Sequence, residues 1–416
     1  MRQTTHPTEP RDLVLALFTV AMLGASVVLV AIGTLIPFFE EAFGLPKSQL
    51  GLIVTVLMLG STLFTSTAGL AVDRFGDKAI VLATGLVMGV ALIAASLQAH
   101  FWWLIVWLFV YGVGYAAVTP AGSHAILFFF DKRSRGTAMG IRQTGVPLGG
   151  VLGAVMLPFI AGAHGYTAAL AAAGVVCLAT SILAAFAYRE PPQLRGERAS
   201  ARALFEGMIH IGFEPRLLLV VGVSVVLICV QIALMSFLPL TYARAAGLST
   251  FVVAAMFCAS QVAAVIGRLV WGWVSDRIFA GNRLLPMGAT CIVSALAAIA
   301  VGSLQSPNIP IAALAACALG FAGEGWVGLS VIAMAEIGGE EHSGSALGFG
   351  LTLVFAAAMI AAPIFGSIID HFGYRTAWYS LAVLALIGVV PALGAHFSIR
   401  RREQSRTIPP EAIRKR

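Results

Sequence analysis

Between Asp12 and Glu40 the chain carries no charged side chain, and apolar stretches of similar length recur as far as residue 398. Each is long enough to cross a bilayer as a helix, which takes about 20 residues. This recurrence constrains the fold more than chain length does. Hydrophobic residues fill 59% of the 416 positions and charged ones 11%, with a mean hydropathy of +0.92. That balance overrides the two or three soluble domains that length alone would suggest.

Backbone polar groups cannot stay unpaired in lipid, and the stretches lack the short alternation of barrel strands, so they read as α-helices. Clusters of charge and turn residues separate twelve of them: 12–38, 48–72, 79–98, 102–130, 136–162, 167–188, 215–243, 249–274, 284–305, 310–337, 344–369 and 377–398. The expected class is an all-α membrane protein with twelve transmembrane helices. The short polar tail before the first stretch leaves that stretch as the targeting signal. Of the 26 Lys and Arg residues, Lys47, Arg244 and Arg375 follow odd-numbered stretches and Arg142 and Arg268 lie inside stretches. The rest fall in the tails, the even-numbered loops and the central linker. The positive-inside rule then predicts two cytoplasmic termini in a plasma (bacterial inner) membrane. The net charge of +7, including the tail "SIRRREQSR…IRKR", would face anionic lipid and not nucleic acid. All five cysteines lie inside stretches, without metal-ligand spacing, and read as small buried hydrophobes.

The longest polar interruption, residues 189–214, separates six stretches from six. It reads either as a flexible linker or, from the spacing of Leu204, Met208 and Ile211, as a short helix on the inner leaflet. The halves echo each other. "GTAMGIRQT" at Gly136 aligns with "GSALGFGLT" at Gly344, and "GLAVDR" ending at Arg74 aligns with "GWVSDR" ending at Arg277. The expected organisation is a half at 1–188, a linker at 189–214, a half at 215–398 and a basic tail at 399–416. Parallel repeats of this kind place a substrate site near mid-membrane, between halves that rock against each other.

Over essentially its whole length the sequence resembles the major facilitator superfamily. "GLAVDRFGDK", residues 69–78, is similar to that family's loop signature between its second and third helices, and "GRLVWGWVSDR", residues 267–277, is its counterpart. The resemblance implies a cytoplasmic gate in which Asp73, Arg74, Asp276 and Arg277 cap neighbouring helix ends and break away when the halves rock. Drug–proton exchangers of the superfamily usually carry an Arg where Leu108 stands here, and a Gly-Pro pair where Val146 separates Gly145 from Pro147. Both departures count against drug efflux. "VIGRLVWG" resembles instead the eighth helix of monocarboxylate and oxalate–formate carriers, which implies that Arg268 holds a substrate carboxylate.

Four ionisable groups, Arg142, Arg268, Glu324 and, nearer an end, His124, lie well inside the stretches, where each is costly and by default marks a pathway or coupling site. Arg142 lies about 9 Å past Gly136 and Arg268 about 12 Å before Asp276, at helical rise. Snorkelling back to the headgroups is the rival account of both. Arg142 shares its stripe with Gly145, Gly149 and Gly153, and Arg268 shares its own with Gln261, Ala264, Gly272 and Ser275. Such faces meet protein, not lipid. Glu324 lies about 18–20 Å from either end of its stretch, beyond the reach of a short side chain. It reads as a proton-carrying group or as the partner of an arginine. His124 is a second proton-relay candidate, with a structural role as its rival. Two arginines against one glutamate favour anions, and Tyr115, Gln231 and Gln261 could add hydrogen bonds. The cluster "FWWLIVWLF" from Phe101 reads as an interfacial belt.

These residues predict a secondary carrier for a small organic anion, a carboxylate, coupled to protons or to a counter-substrate and working as a monomer among membrane lipids. The alternatives are an exporter of amphipathic compounds and a transporter-like sensor. No paired carboxylates, nucleophile motif, metal cluster or ATP-binding loop points to an enzyme, a cofactor or a primary pump.

Overall fold

The computed structural model describes residues 10–44, 47–191, 201–244, 246–304, 306 and 308–394. The basic tail at 399–416 lies outside the described residues, as do the first nine residues and 192–200 of the linker. Among the described residues the regular structure is helical, with no strand. In chain order the helices are α1 (Arg11–Ala31), a 3-10 turn (Ile32–Leu35), α2 (Ile36–Phe43), α3 (Lys47–Ser96), α4 (Phe101–Tyr115), α5 (Ser123–Phe129) and α6 (Arg135–Gln143). There follow α7 (Gly145–Ala187), α8 (Ala201–Gly212), α9 (Pro215–Arg244), α10 (Thr250–Arg277), α11 (Leu284–Ser303), α12 (Ile309–Gly323) and α13 (Val327–Ile387). Eight helical stretches are long and apolar enough to cross a membrane.

Three of the longest stretches turn back on themselves at glycine. Gly76, Gly165 and Gly373 share nearly the same backbone, with φ 81–82° and ψ 166–167°, which a side chain would strain. The fourth and tenth apolar stretches, expected as continuous helices, are broken. α4 stops at Tyr115 and α5 starts at Ser123, because Pro120 has no amide to donate and Gly122 sits at φ 88°. α12 stops at Gly323, and α13 resumes at Val327.

The core falls into three parts. One is drawn from residues between Met22 and Cys177, a second from residues between Val230 and Ala385, and a third mixes both ends of the chain. At one end of the bundle the two halves therefore share a core, while at the other each keeps its own. The glycines of the repeats make the shared end close. A Cβ on Gly69 would stand 2.0 Å from the Gly344 carbonyl oxygen, and one on Gly272 would stand 2.5 Å from that of Gly136. The two crossings, α3 on the arm of α13 that begins at Gly344 and α10 on α6, are equivalents under the repeat. The Gly145, Gly149 and Gly153 stripe packs against α1, where added Cβ atoms would meet the carbonyls of Thr19, Leu23 and Val27.

Residues 201–212 of the linker form α8, which packs on α13, and Phe213 just after it meets Phe349 with ring centroids 5.9 Å apart. Trp102 and Trp103 are exposed, as an aromatic belt requires. Cys177 and Cys291 are buried as expected, whereas Cys258 is exposed, so that expectation fails for it.

Because both crossings are backbone on backbone, Gly69→Val or Gly272→Val should cost about 1–3 kcal/mol through forced separation of the halves. A lowered apparent Tm of the purified protein checks this; an unchanged Tm in both variants would contradict the close approach.

Candidate functional site: two latches and a central polar layer

At the shared end each half inserts a carboxylate into a helix start of the other. Asp73 accepts from the Gly344 amide (2.8 Å), the Ser345 amide (2.7 Å) and the Ser345 hydroxyl. Asp276 accepts from the Gly136 amide (3.1 Å), the Thr137 amide (2.6 Å) and the Thr137 hydroxyl (2.7 Å). These bonds satisfy amides that a helix start leaves unpaired, and they place negative charge at the positive end of a helix dipole.

The latches are alike in their caps and differ in their cations. Asp276 pairs with Arg283, which also bonds Glu336 (3.1 Å), the Ser275 hydroxyl (2.9 Å) and, across the halves, the Lys132 carbonyl (2.7 Å). Burial alone would pull the Arg283 guanidinium down, but Glu336 and Asp276 hold it above its ordinary value, so it stays charged. Asp73 meets His124 instead, whose Nε2 lies 3.0 Å from Asp73 Oδ1 and whose Nδ1 lies 3.7 Å from Asp77 Oδ1. Asp77 accepts from the amides of Gly122 (2.7 Å) and Ala125 (2.8 Å).

Arg74 and Arg277 were expected in the gate, and the structure corrects this. Both are exposed, and Arg74 lies over the Phe75 ring at 5.3 Å. Each follows its aspartate by one residue, so the helix turns it about 100° away from that face. The cation that pairs with Asp276 is Arg283, and neither it nor Glu336, Asp77, Thr137 and Ser345 was singled out from sequence. Arg283 lies six residues beyond the second loop motif, which ends at Arg277, so the motif does not mark it.

Beneath the latches lies a central layer. Arg268, 4% exposed, donates to the Gln143 carbonyl of the other half (2.8 Å) and stands 3.7 Å from Glu324. Glu324, 1% exposed at the α12 break, accepts from the Gln261 amide nitrogen (3.1 Å). Both readings of Glu324 had merit, and its pairing with an arginine is what the geometry displays. Arg142 is 1% exposed and does not snorkel. It donates to the carbonyls of Val118 (2.7 Å), Thr119 (3.1 Å) and Ala121, all left open by the α4 break. Tyr115 ends α4 with its hydroxyl 3.3 Å from Ser26. Gln231 lies on α9, next to Val230, which packs on Gly323. Three buried donors here, Arg142 Nε, Arg268 Nε and Gln143 Nε2, lack a hydrogen-bond partner among the described residues, as does the acceptor Gln231 Oε1. Gln143 was not singled out from sequence, since its carbonyl, not its side-chain type, makes the inter-half bond. The described residues hold no group of His, Cys, Asp and Glu arranged for a metal.

Removing Arg283 leaves Asp276 and Glu336 without their cation. Arg283→Ala should cost about 3 kcal/mol or more, while Arg277→Ala should stay within about 0.5 kcal/mol. Thermal unfolding of both variants checks this, and equal losses would contradict the assignment of Arg283 to the latch.

The fold has solved relatives. The FucP transporter, crystallised in the outward conformation, superposes with a TM-score of 0.75 over 93% of this chain and 99% of its own, at 17% identity. An uncharacterised MFS-type transporter of Mycobacterium tuberculosis is 28% identical, covering 89% of this chain and 83% of its own. A probable sulfoacetate transporter of Cupriavidus necator is 28% identical over 62% of this chain and 63% of its own. An agnestins efflux protein of Paecilomyces divaricatus is 25% identical over 91% and 84%. The family model described as Major Facilitator Superfamily matches residues 14–349. With that match, the chain belongs to the Major Facilitator Superfamily and is an integral, multi-pass membrane transporter.

Proposed function

We propose that the chain is a secondary active transporter that moves a small organic anion, with a carboxylate as its recognised group, by alternating access. The observation that carries this reading is the excess of buried donors in the central layer. Arg268 and Gln143 present two unpartnered N–H groups, and the charged partner of Arg268 is Glu324. Unpaired buried donors are costly, and an anion entering between the halves would satisfy them. The relative described as a probable sulfoacetate transporter supports the class.

Splitting the long stretches at Gly76, Gly165 and Gly373 and counting the broken fourth one gives twelve crossings, in halves at 1–188 and 215–398. Lys and Arg distribution puts both termini and the latched end in the cytoplasm of a plasma-membrane protein. With the latches made and separate cores at the far end, the conformation is open to the outside. Glu324 is the coupling group. When it takes a proton, its hold on Arg268 is released and the guanidinium can take the substrate carboxylate; when substrate leaves, Glu324 loses the proton and pairs again. Gln261, which bonds Glu324, keeps that carboxylate oriented.

The efflux relative supports a second reading, export of amphipathic compounds. Arg268, once Glu324 is protonated, disfavours cationic cargo, so the two readings part on anions. Uptake of labelled carboxylates and sulfoacetate into proteoliposomes decides between them. Wild type should carry at least one of them, Arg268→Ala should lose 30-fold or more (about 2 kcal/mol or above), and Glu324→Gln should exchange substrate without responding to a pH gradient. Uptake by Arg268→Ala equal to wild type would contradict the anion site, and gradient-driven uptake by Glu324→Gln would remove the coupling role.

A further inference from the structure

We infer that the break in the fourth crossing, residues 116–122, is a hinge braced from both sides by Arg142 and Asp77, and that Arg142 is a positioning residue rather than a substrate ligand. This rests on the alternating-access reading given above.

A broken helix inside a membrane leaves carbonyls at one side of the break and amides at the other, and both need partners. Here each side receives a full charge of the matching sign. The Arg142 guanidinium takes the carbonyls of Val118, Thr119 and Ala121, and the Asp77 carboxylate takes the amides of Gly122 and Ala125. Asp77 is 0% exposed and Arg142 is 1% exposed, and the two charges act on each other across the break. Both terminal nitrogens of Arg142 are occupied by main chain. A guanidinium so engaged cannot grip a carboxylate with its fork.

The hinge lies between the latch and the central layer, in contact with both. On one side Asp77 shares His124 with Asp73, which caps the Gly344 arm of the other half. On the other side Arg142 precedes Gln143, whose carbonyl receives Arg268. A narrow cleft lined by Arg142, Val118 and Ala121 together with Phe18, Met22 and Ser181 lies beside the break.

The second half does not repeat this device. Gly350 stands at the place of Arg142, and at the α12 break Glu324 faces Arg268. The first half thus carries the hinge and the second the paired charges, on otherwise equivalent helices.

Hydrogen exchange of the full chain in lipid nanodiscs, comparing Arg142→Gln, Arg142→Lys and Asp77→Asn with wild type, tests the inference. Arg142→Gln and Asp77→Asn should each raise exchange at amides 118–126 by about tenfold or more, and should also raise it at Gly344 and Ser345 in the other half. Arg142→Lys keeps the cation and should recover part of that protection. A merely local role would leave the Gly344 and Ser345 amides at wild-type protection, and that result overturns the hinge. The Asp77 variant carries the same test should Arg142→Gln not fold. Binding of labelled carboxylates and sulfoacetate supplies the second readout: Arg142→Gln should hold affinity within about threefold of wild type, unlike Arg268→Ala. An equal loss in both would make Arg142 a ligand and end the proposal. If wild type binds none of the probes, the anion reading fails while the exchange data still decide the hinge.

Discussion

Bare charges and unpaired helix ends are each expensive in hydrocarbon, and this chain meets both constraints by placing one against the other. Asp73 and Asp276 cap helix starts across the boundary between halves, Asp77 caps α5 within its half, and Arg142 closes the open carbonyls of α4. The closed end of the bundle depends on these pairings. Glycine makes them reachable, because only backbone-on-backbone crossings at Gly69–Gly344 and Gly136–Gly272 bring a short aspartate to a helix start in the opposite half.

A symmetric frame carries asymmetric chemistry. The repeat duplicates the aspartate latch, the crossing glycines and the breaks in the fourth and tenth helices. It does not duplicate the cations. One latch holds a permanent charge, Arg283, and the other holds His124, beside Asp77. One break is filled by an arginine bonded to main chain, and the other by a glutamate bonded to an arginine. In the proposed alternating access, duplication supplies two halves that rock, and divergence at a few positions gives the direction in which they respond to a bound group.

Much of this was legible in the sequence, for reasons that also mark where legibility ends. Apolar runs of membrane length fix helical class through backbone pairing, and Arg142, Arg268 and Glu324 stand out because charge inside such runs is rare. The aspartates of the two loop motifs could be read as caps, and the step of about 100° between adjacent residues on a helix was itself a sign that Arg74 and Arg277 leave that face. The helix breaks were hidden by unbroken hydropathy, although Pro120 and Gly122, and the glycines flanking Glu324, were visible signals. Partners made of main chain, such as the carbonyls on Arg142 and the Gln143 carbonyl on Arg268, leave no trace in residue type at all.

The central claim is that carboxylate-on-helix latches close one end of the bundle and release it while the other end shuts. The most direct measurement is a pair of interspin distances in lipid, one between labels at exposed Phe75 and Ile278 at the latched end and one between labels at Trp102 and Ile309 at the far end. The account predicts opposite changes when the latch is weakened by Asp73→Asn: the first distance lengthens as the second shortens. Distances that move in the same sense, or a latched end that stays closed without Asp73, would contradict it.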